Sequence, residues 1–170
     1  MSFADLHAAM LATAMGRIET SILRPGASEI ALCAKWRLEA FGDVLGGSLE
    51  DETKRLEDFV ADGAQQVALV ASCGGVPAGT CLLAPQELEP CHPVSPWLAG
   101  LYVAPDFRRQ GIGGALVCAT EEQARQRGNR QIYLYSDDAV AYYEKLSWRI
   151  VEQTIWHGFP MALMARDLQA

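Results

Sequence analysis

Basic residues are in short supply. Lysine and arginine number 14 against 21 aspartates and glutamates, and the net charge is −7. A nucleic-acid binder needs a basic face for its phosphate contacts, so that class is disfavoured, while a small anion can still meet a locally positive site. Histidine is scarcer: His7, His92 and His157 lie too far apart to suggest a zinc site, and no metal is expected. The five cysteines contain no CxxC pair, and their odd number fits no disulfide framework. They read as reduced thiols, mostly small core hydrophobes. No apolar run reaches the length of a membrane span. The first residues, MSFADLHAAM, carry Asp5 and His7 and no basic n-region, so no secretory signal is expected. The expectation is a cytoplasmic protein with neither nucleic acid nor membrane as partner.

What is present suits a globular chain. Half of the residues are hydrophobic, and the length is enough for one buried core. Residues 1–18 can form an amphipathic helix on Phe3, Leu6, Met10 and Ala14, an extension to a single domain over 19–170. Ile22 to Arg24 reads as a short strand. Ser28 can cap a helix to Phe41 with Gly42 as its stop, and a second helix runs from Ser48 to Ala61. Gln66–Cys73 and Ala78–Leu83 form a hairpin on Gly74-Gly75. A loop with Pro85, Pro90, Pro93 and Pro96 follows. Trp97–Val103, a helix over Gly111–Arg127, and Gln131–Tyr135 make strand, helix and strand within about 40 residues, a βαβ unit whose strands are parallel. A short helix at Asp138–Leu146 and a last hairpin, Arg149–Trp156 with Phe159–Arg166, complete a mixed α+β sheet, antiparallel at both ends.

The segment Leu101 to Leu116, LYVAPDFRRQGIGGAL, carries the most chemistry. An apolar strand leads through a Pro-Asp turn and two arginines into a glycine-rich helix start. No Gly-Lys-Ser/Thr follows, which excludes a Walker loop, and Leu116 stands where a dinucleotide GxGxxG needs its last glycine. The pattern is Arg-x-x-Gly-x-Gly from Arg108 to Gly113. Amides at a helix start, glycines that permit close approach, and flanking guanidiniums suit a pyrophosphate. An ordinary turn with packing glycines is the plainer reading of Gly-x-Gly alone.

This segment resembles the acetyl-CoA-binding stretch of the GCN5-related N-acetyltransferases. AVAYYEKLSW, at 139–148, is similar to that family's second signature. The resemblance is strong from Pro96 to Leu168. It implies a single-domain, mostly antiparallel mixed sheet with a splayed parallel central strand pair flanked by helices. It also implies acetyl-CoA as cosubstrate, held by Leu101, Tyr102 and Val103 along the pantetheine arm and by Arg108, Arg109, Gln110, Gly111, Ile112, Gly113 and Gly114 at the pyrophosphate. Two positions depart from the family: Ser147 replaces the usual glycine, and Ser136 stands where asparagine is common, capping the next helix or contacting the cofactor.

The reaction implied is acetyl transfer to a primary amine by direct attack in a ternary complex, with proximity as the main requirement. A backbone amide at a bulge near Gly100 would receive the oxyanion. Tyr143 is the general acid for the leaving sulfur, with Tyr142 as fallback; a core aromatic is the plainer reading of either. Glu39, Glu87, Glu89, His92 and Asp137 are candidate bases, and each is also an ordinary surface residue. Trp36, Arg37, Trp97, His157 and Phe159 are candidates for a pocket taking a small-molecule or peptide amine. The family resemblance allows a homodimer. A non-catalytic acyl-CoA sensor on the same fold is the alternative.

Overall fold

The computed structural model describes residues 16–87, 92–156 and 158–168. Seven strands form one sheet: β1 (Ile18–Ile22), β2 (Val67–Cys73), β3 (Val76–Ala84), β4 (Trp97–Val103), β5 (Gln131–Ser136), β6 (Arg149–Trp156) and β7 (Phe159–Asp167). Their spatial order is β1-β2-β3-β4-β5-β7-β6, and only β4 and β5 run parallel. Among the described residues, four helices flank the sheet: α1 (Ile30–Leu45), α2 (Leu49–Ala61), α3 (Ile112–Gln126) and α4 (Val140–Lys145). Strands β2 and β3 are apolar on both faces because both faces are covered. Leu69, Leu83, Leu98, Leu116 and Tyr143 belong to the core on the α3 and α4 side, while Leu23, Trp36, Leu56, Val70 and Leu82 belong to the α1 and α2 side.

Local chemistry explains most boundaries. Gly74 and Gly75 both have positive φ, at 59° and 83°, as a tight hairpin requires. Ser48 and Asp51 form a reciprocal capping box at the start of α2. Gly128, at φ 79°, follows the end of α3. The buried Cys33 and Cys81 behave as core groups: desolvation pushes their thiols up to about 11 and about 12.

Three expectations are corrected. The first strand is Ile18–Ile22 rather than Ile22–Arg24, because pairing runs from Ile18↔Cys73 to Ile22↔Leu69 and both isoleucines pack on the core. Residues 16–18 are therefore not helical, and 1–15 of the expected N-terminal helix lie outside the described residues. Helix α1 is not capped by Ser28, whose hydroxyl donates to Glu29, and it runs through Gly42 to end at Gly46. A glycine inside a helix costs only about 1 kcal/mol. The end is set instead by the positive φ of Gly46, 61°, and by Arg55, whose Nη1 and Nη2 donate to the carbonyls of Leu45 and Gly46.

Gly79 is closely packed between strand β4 and helix α3. A Cβ there would lie 2.5 Å from the Tyr102 carbonyl oxygen and 3.1 Å from Leu116 Cδ1. Gly79→Ala is expected to lower stability by about 1–3 kcal/mol in urea unfolding, as overpacked cores do; an unchanged midpoint would refute this account of the packing.

Candidate active site

Strands β4 and β5 share a single rung. Trp97 pairs with Tyr133, and the Tyr133 N–H donates to the Pro96 carbonyl at 3.0 Å. Past that rung the ladder stops, and peptide groups on the facing edges of two central strands are left for another partner. On the β3 side the register slips: Thr80 pairs with Tyr102 but Leu82 pairs with Ala99, so Gly100 and Leu101 together face Cys81. This is a β-bulge, and Gly100 takes φ 60° within it. A Cβ on Gly100 would lie 2.5 Å from Arg37 Nη1 and would have to displace that guanidinium, while the positive φ favours glycine on its own.

A groove of about 600 Å³ opens at this place. The bulge, the end of β5 with residues 136–139, and Tyr143 line one part; α1, α2, the end of β3 with residues 85–87, Trp156 and Met161 line others. Tyr143 is buried, edge-on to Tyr142 and Trp148. Desolvation raises its phenol well above the ordinary value of about 10. Its hydroxyl therefore stays protonated and is able to donate a hydrogen bond. The Ser136 hydroxyl accepts from the Ala139 N–H at 3.2 Å, which turns the chain from β5 toward α4. Ser147, in the place of the usual glycine, has φ 65°.

The segment after β4 forms a short 3-10 turn, Pro105–Phe107, and then a loop into α3. Arg109 is left-handed at φ 61° and Gly111 at 89°, and no side chain caps α3. The first-turn amides thus keep no intrahelical acceptor, and the helix dipole is positive there. Arg108 Nε donates to the Val103 carbonyl at 3.0 Å, and its guanidinium stands 6.0 Å from the Tyr102 ring centre. A Cβ on Gly113 would lie 2.7 Å from the Tyr142 hydroxyl, so this glycine keeps the helix start and α4 close together.

Of the acceptor-pocket candidates among the described residues, only Arg37 lines the groove. Trp36 is buried and stacked on Tyr102 at 5.8 Å, and Trp97 is buried against Tyr135 at 4.7 Å; both pack the sheet. Phe159 is 66% exposed and lies off the groove. His157 and Glu89 fall outside the described residues. Glu39 accepts from the Tyr102 hydroxyl at 3.3 Å, whereas Glu87 and Asp137 line the groove.

Two features escaped the sequence reading. Glu52, 2% exposed, holds Arg37 through an Nε–Oε1 contact of 2.6 Å, and Arg55 Nε stands 3.4 Å from its other oxygen. The signal was a carboxylate in the apolar stripe of α2, in line with Leu56 and Val60. The second is a chain of contacts: the Tyr135 hydroxyl meets His92 Nδ1 at 2.8 Å, and His92 Nε2 meets Glu152 at 3.2 Å. No sequence spacing announces it, since its members come from a loop and two strands.

Residues 31–148 match the model of the acetyltransferase (GNAT) family. Among solved structures, an aminoglycoside 6'-N-acetyltransferase complexed with coenzyme A is 19% identical, with a TM-score of 0.70, covering 89% of this chain and 98% of that one. The aminoglycoside 6'-N-acetyltransferase from Enterococcus faecium is 19% identical, with a TM-score of 0.67 and the same coverages of 89% and 98%. A Salmonella typhimurium protein designated an acetyltransferase, solved with its cofactor acetyl-CoA, is 16% identical, with a TM-score of 0.70, covering 89% of this chain and 94% of that one. No curated protein is significantly similar in sequence. No helix among the described residues is long and apolar enough to cross a membrane.

The Arg37–Glu52 pair invites a double-mutant cycle. Removing one partner of a buried ion pair strands the other charge, at a cost of about 3–5 kcal/mol. Arg37→Met is expected near 3 kcal/mol in chemical denaturation, since Arg55 remains beside Glu52. Arg37→Met combined with Glu52→Leu should recover at least half of that loss; strict additivity would mean that the pair is not coupled.

Proposed function

The chain belongs to the acetyltransferase (GNAT) family, and from that premise we propose that it passes the acetyl group of acetyl-CoA directly to a primary amine held in the groove, with both substrates bound at once. It is an acyltransferase with acetyl-CoA as its cosubstrate. The observation that carries the direct-transfer reading is the one-rung ladder between β4 and β5, with a bulge on one side of the opening and Tyr143 close to the other. An open strand edge is able to pair with an extended, amide-bearing chain, much as an added strand would.

The residues present fit this cosubstrate. Leu101 to Val103 offer backbone to the pantetheine arm. Arg108 to Gly114 offer an uncapped helix start and two guanidiniums to the pyrophosphate. Ser136 lies at the end of the facing strand, where its hydroxyl also serves the local turn. The amine attacks the thioester carbonyl, a β4 amide at the bulge receives the oxyanion, and the carbon–sulfur bond breaks to a thiolate. Tyr143 donates a hydrogen bond to that sulfur. Full proton transfer from a phenol raised by burial to a thiolate whose conjugate pKa is about 8.5 is uphill, so stabilisation of developing charge is its role.

The acceptor is a small-molecule or peptide amine. Arg37, oriented by Glu52, is one charged group of the groove wall, and Phe41, Leu56, Phe59 and Trp156 supply an apolar surface. Release of free CoA thiol from acetyl-CoA with a panel of primary amines tests the activity, and calorimetric titration with acetyl-CoA tests the site independently. Tyr143→Phe removes one hydrogen bond to a charged group, worth about 1.5–3 kcal/mol, or roughly 10- to 100-fold in rate. The expected result is a loss of that size in kcat with acetyl-CoA affinity within about twofold of wild type; unchanged kcat removes Tyr143 from the reaction.

A further inference from the structure

We infer that the acceptor is an α-amino acid with an apolar side chain, and that Arg37 holds its carboxylate. The inference rests on the acetyl-transfer reading and names which amine the groove takes. The Arg37 side chain is only 12% exposed, yet it lines the groove. Its Nε donates to Glu52 Oε1 at 2.6 Å, and among the described residues Glu52 is the one hydrogen-bond acceptor that it meets. A guanidinium carries five N–H donors in a rigid fork. With Nε engaged, the Nη1 and Nη2 end is left, and that end matches a carboxylate in two parallel hydrogen bonds. Nη1 stands 2.5 Å from the point that a Cβ on Gly100 would take, so the fork lies at the bulge of β4.

Charge favours the same occupant. Glu52, 2% exposed, has Arg37 Nε at 2.6 Å from one oxygen and Arg55 Nε at 3.4 Å from the other. Two guanidiniums around one carboxylate leave one positive charge over, in a place where an unmatched charge is costly. A carboxylate from the acceptor balances it. The other ionisable acids that line the groove are Glu87, which follows β3, and Asp137 and Asp138, which follow β5. They suit an ammonium group. The groove thus carries both signs, as a zwitterion requires. A polycation would match the acids but would set further positive charge against Arg37 and Arg55.

Placement narrows the class. Arg37 and Phe41 are four residues apart on α1 and share a face. Phe41 Cε2 lies 3.8 Å from the same point beside Gly100, so a cation and an aromatic ring border the bulge together. In an α-amino acid the amine, the carboxylate and the side chain leave one carbon. A carboxylate on Arg37 therefore keeps the nitrogen beside the bulge, where the acetyl carbonyl is received. The side chain then runs along Phe41, Leu56 and Phe59. The nitrogen–carbon bond forms as the carbon–sulfur bond breaks. Of the two protons that the ammonium loses, one ends on the CoA thiol and one in water. Arg37 is a specificity-determining residue that touches the substrate, and Glu52 positions it.

The test follows CoA release from the full-length protein with matched acceptors: phenylalanine against phenethylamine, and leucine against leucine amide, which also mimics a peptide N-terminus. Loss of a bidentate, charge-assisted contact is expected to give the carboxylate-bearing member of each pair a kcat/KM higher by about 10²-fold. Glycine, without a side chain to bury, should fall about tenfold or more below leucine. Arg37→Lys keeps the charge without the fork and should shrink both pair ratios by about tenfold. Arg37→Met combined with Glu52→Leu should abolish the preference while phenethylamine is still acetylated. Each ratio is read within one sample and does not depend on how much of a variant is folded. Pair ratios near one in the wild type, ratios left unchanged by Arg37→Lys, glycine equal to leucine, or a kcat/KM for spermidine or kanamycin above that for leucine and phenylalanine would each overturn the inference and leave acetyl transfer standing. No CoA release by the wild-type protein with any of these amines removes the acetyl-transfer reading and the inference with it.

Discussion

The pairing of β4 with β5 stops after one rung, and the rest of the site exists because of that interruption. A buried peptide group without a partner costs several tenths to several kcal/mol, so two central strands do not part without a cause. Part of the cause is local. The bulge at Gly100 and Leu101 turns β4 away from its regular course. The other part is topological: β5 is fully paired with β7, from Gln131↔Asp167 to Ser136↔Ala162, and follows that neighbour rather than β4. Each strand is satisfied on its outer side, and the gap between them is where a chain with its own amides gains most by binding.

The groove beside the gap is held by a buried charge pair rather than by hydrophobic contact alone. Arg37 reaches from α1 to Glu52 on α2, and Arg55 from α2 reaches back to the last carbonyls of α1. The two helices share an apolar cluster that includes Ile30, Trp36, Leu56 and Val60, and the arginines add polar links across it. A buried ion pair is a poor source of stability compared with well-packed hydrophobic side chains, because desolvation offsets most of the attraction. What it provides here is placement: the Arg37 guanidinium is brought against Gly100, where a β-carbon would have to displace it. The bulge and this wall of the groove are therefore in direct contact.

Much of this was legible in the chain, for identifiable reasons. Strand β4, the glycine-rich start of α3 and the last hairpin announce themselves through short-range chemistry: apolar runs, a helix dipole left uncapped, and turns that need positive φ. The parallel junction followed from the length of the crossover. What was hidden depends on long-range contact. The end of α1 could not be read because the group that satisfies its last carbonyls, Arg55, lies in the next helix. The two tryptophans expected at the acceptor pocket went to the sheet instead, since a large ring gains more from stacking on Tyr102 or Tyr135 than from facing water. Glu52 was visible in principle as an acid in an apolar stripe, but its partner on α1 was not.

Tyr143 sits in the core with Trp148 and Tyr142, where desolvation holds the phenol neutral. In the proposed reaction a neutral phenol beside a leaving thiolate lends hydrogen-bond stabilisation without giving up its proton, and the sulfur departs as an anion. On the other face of β5 the Tyr135 hydroxyl meets His92, and His92 meets Glu152. The two phenols therefore differ in their surroundings: aromatic rings enclose Tyr143, whereas Tyr135 stands beside an imidazole that is itself backed by a half-exposed carboxylate.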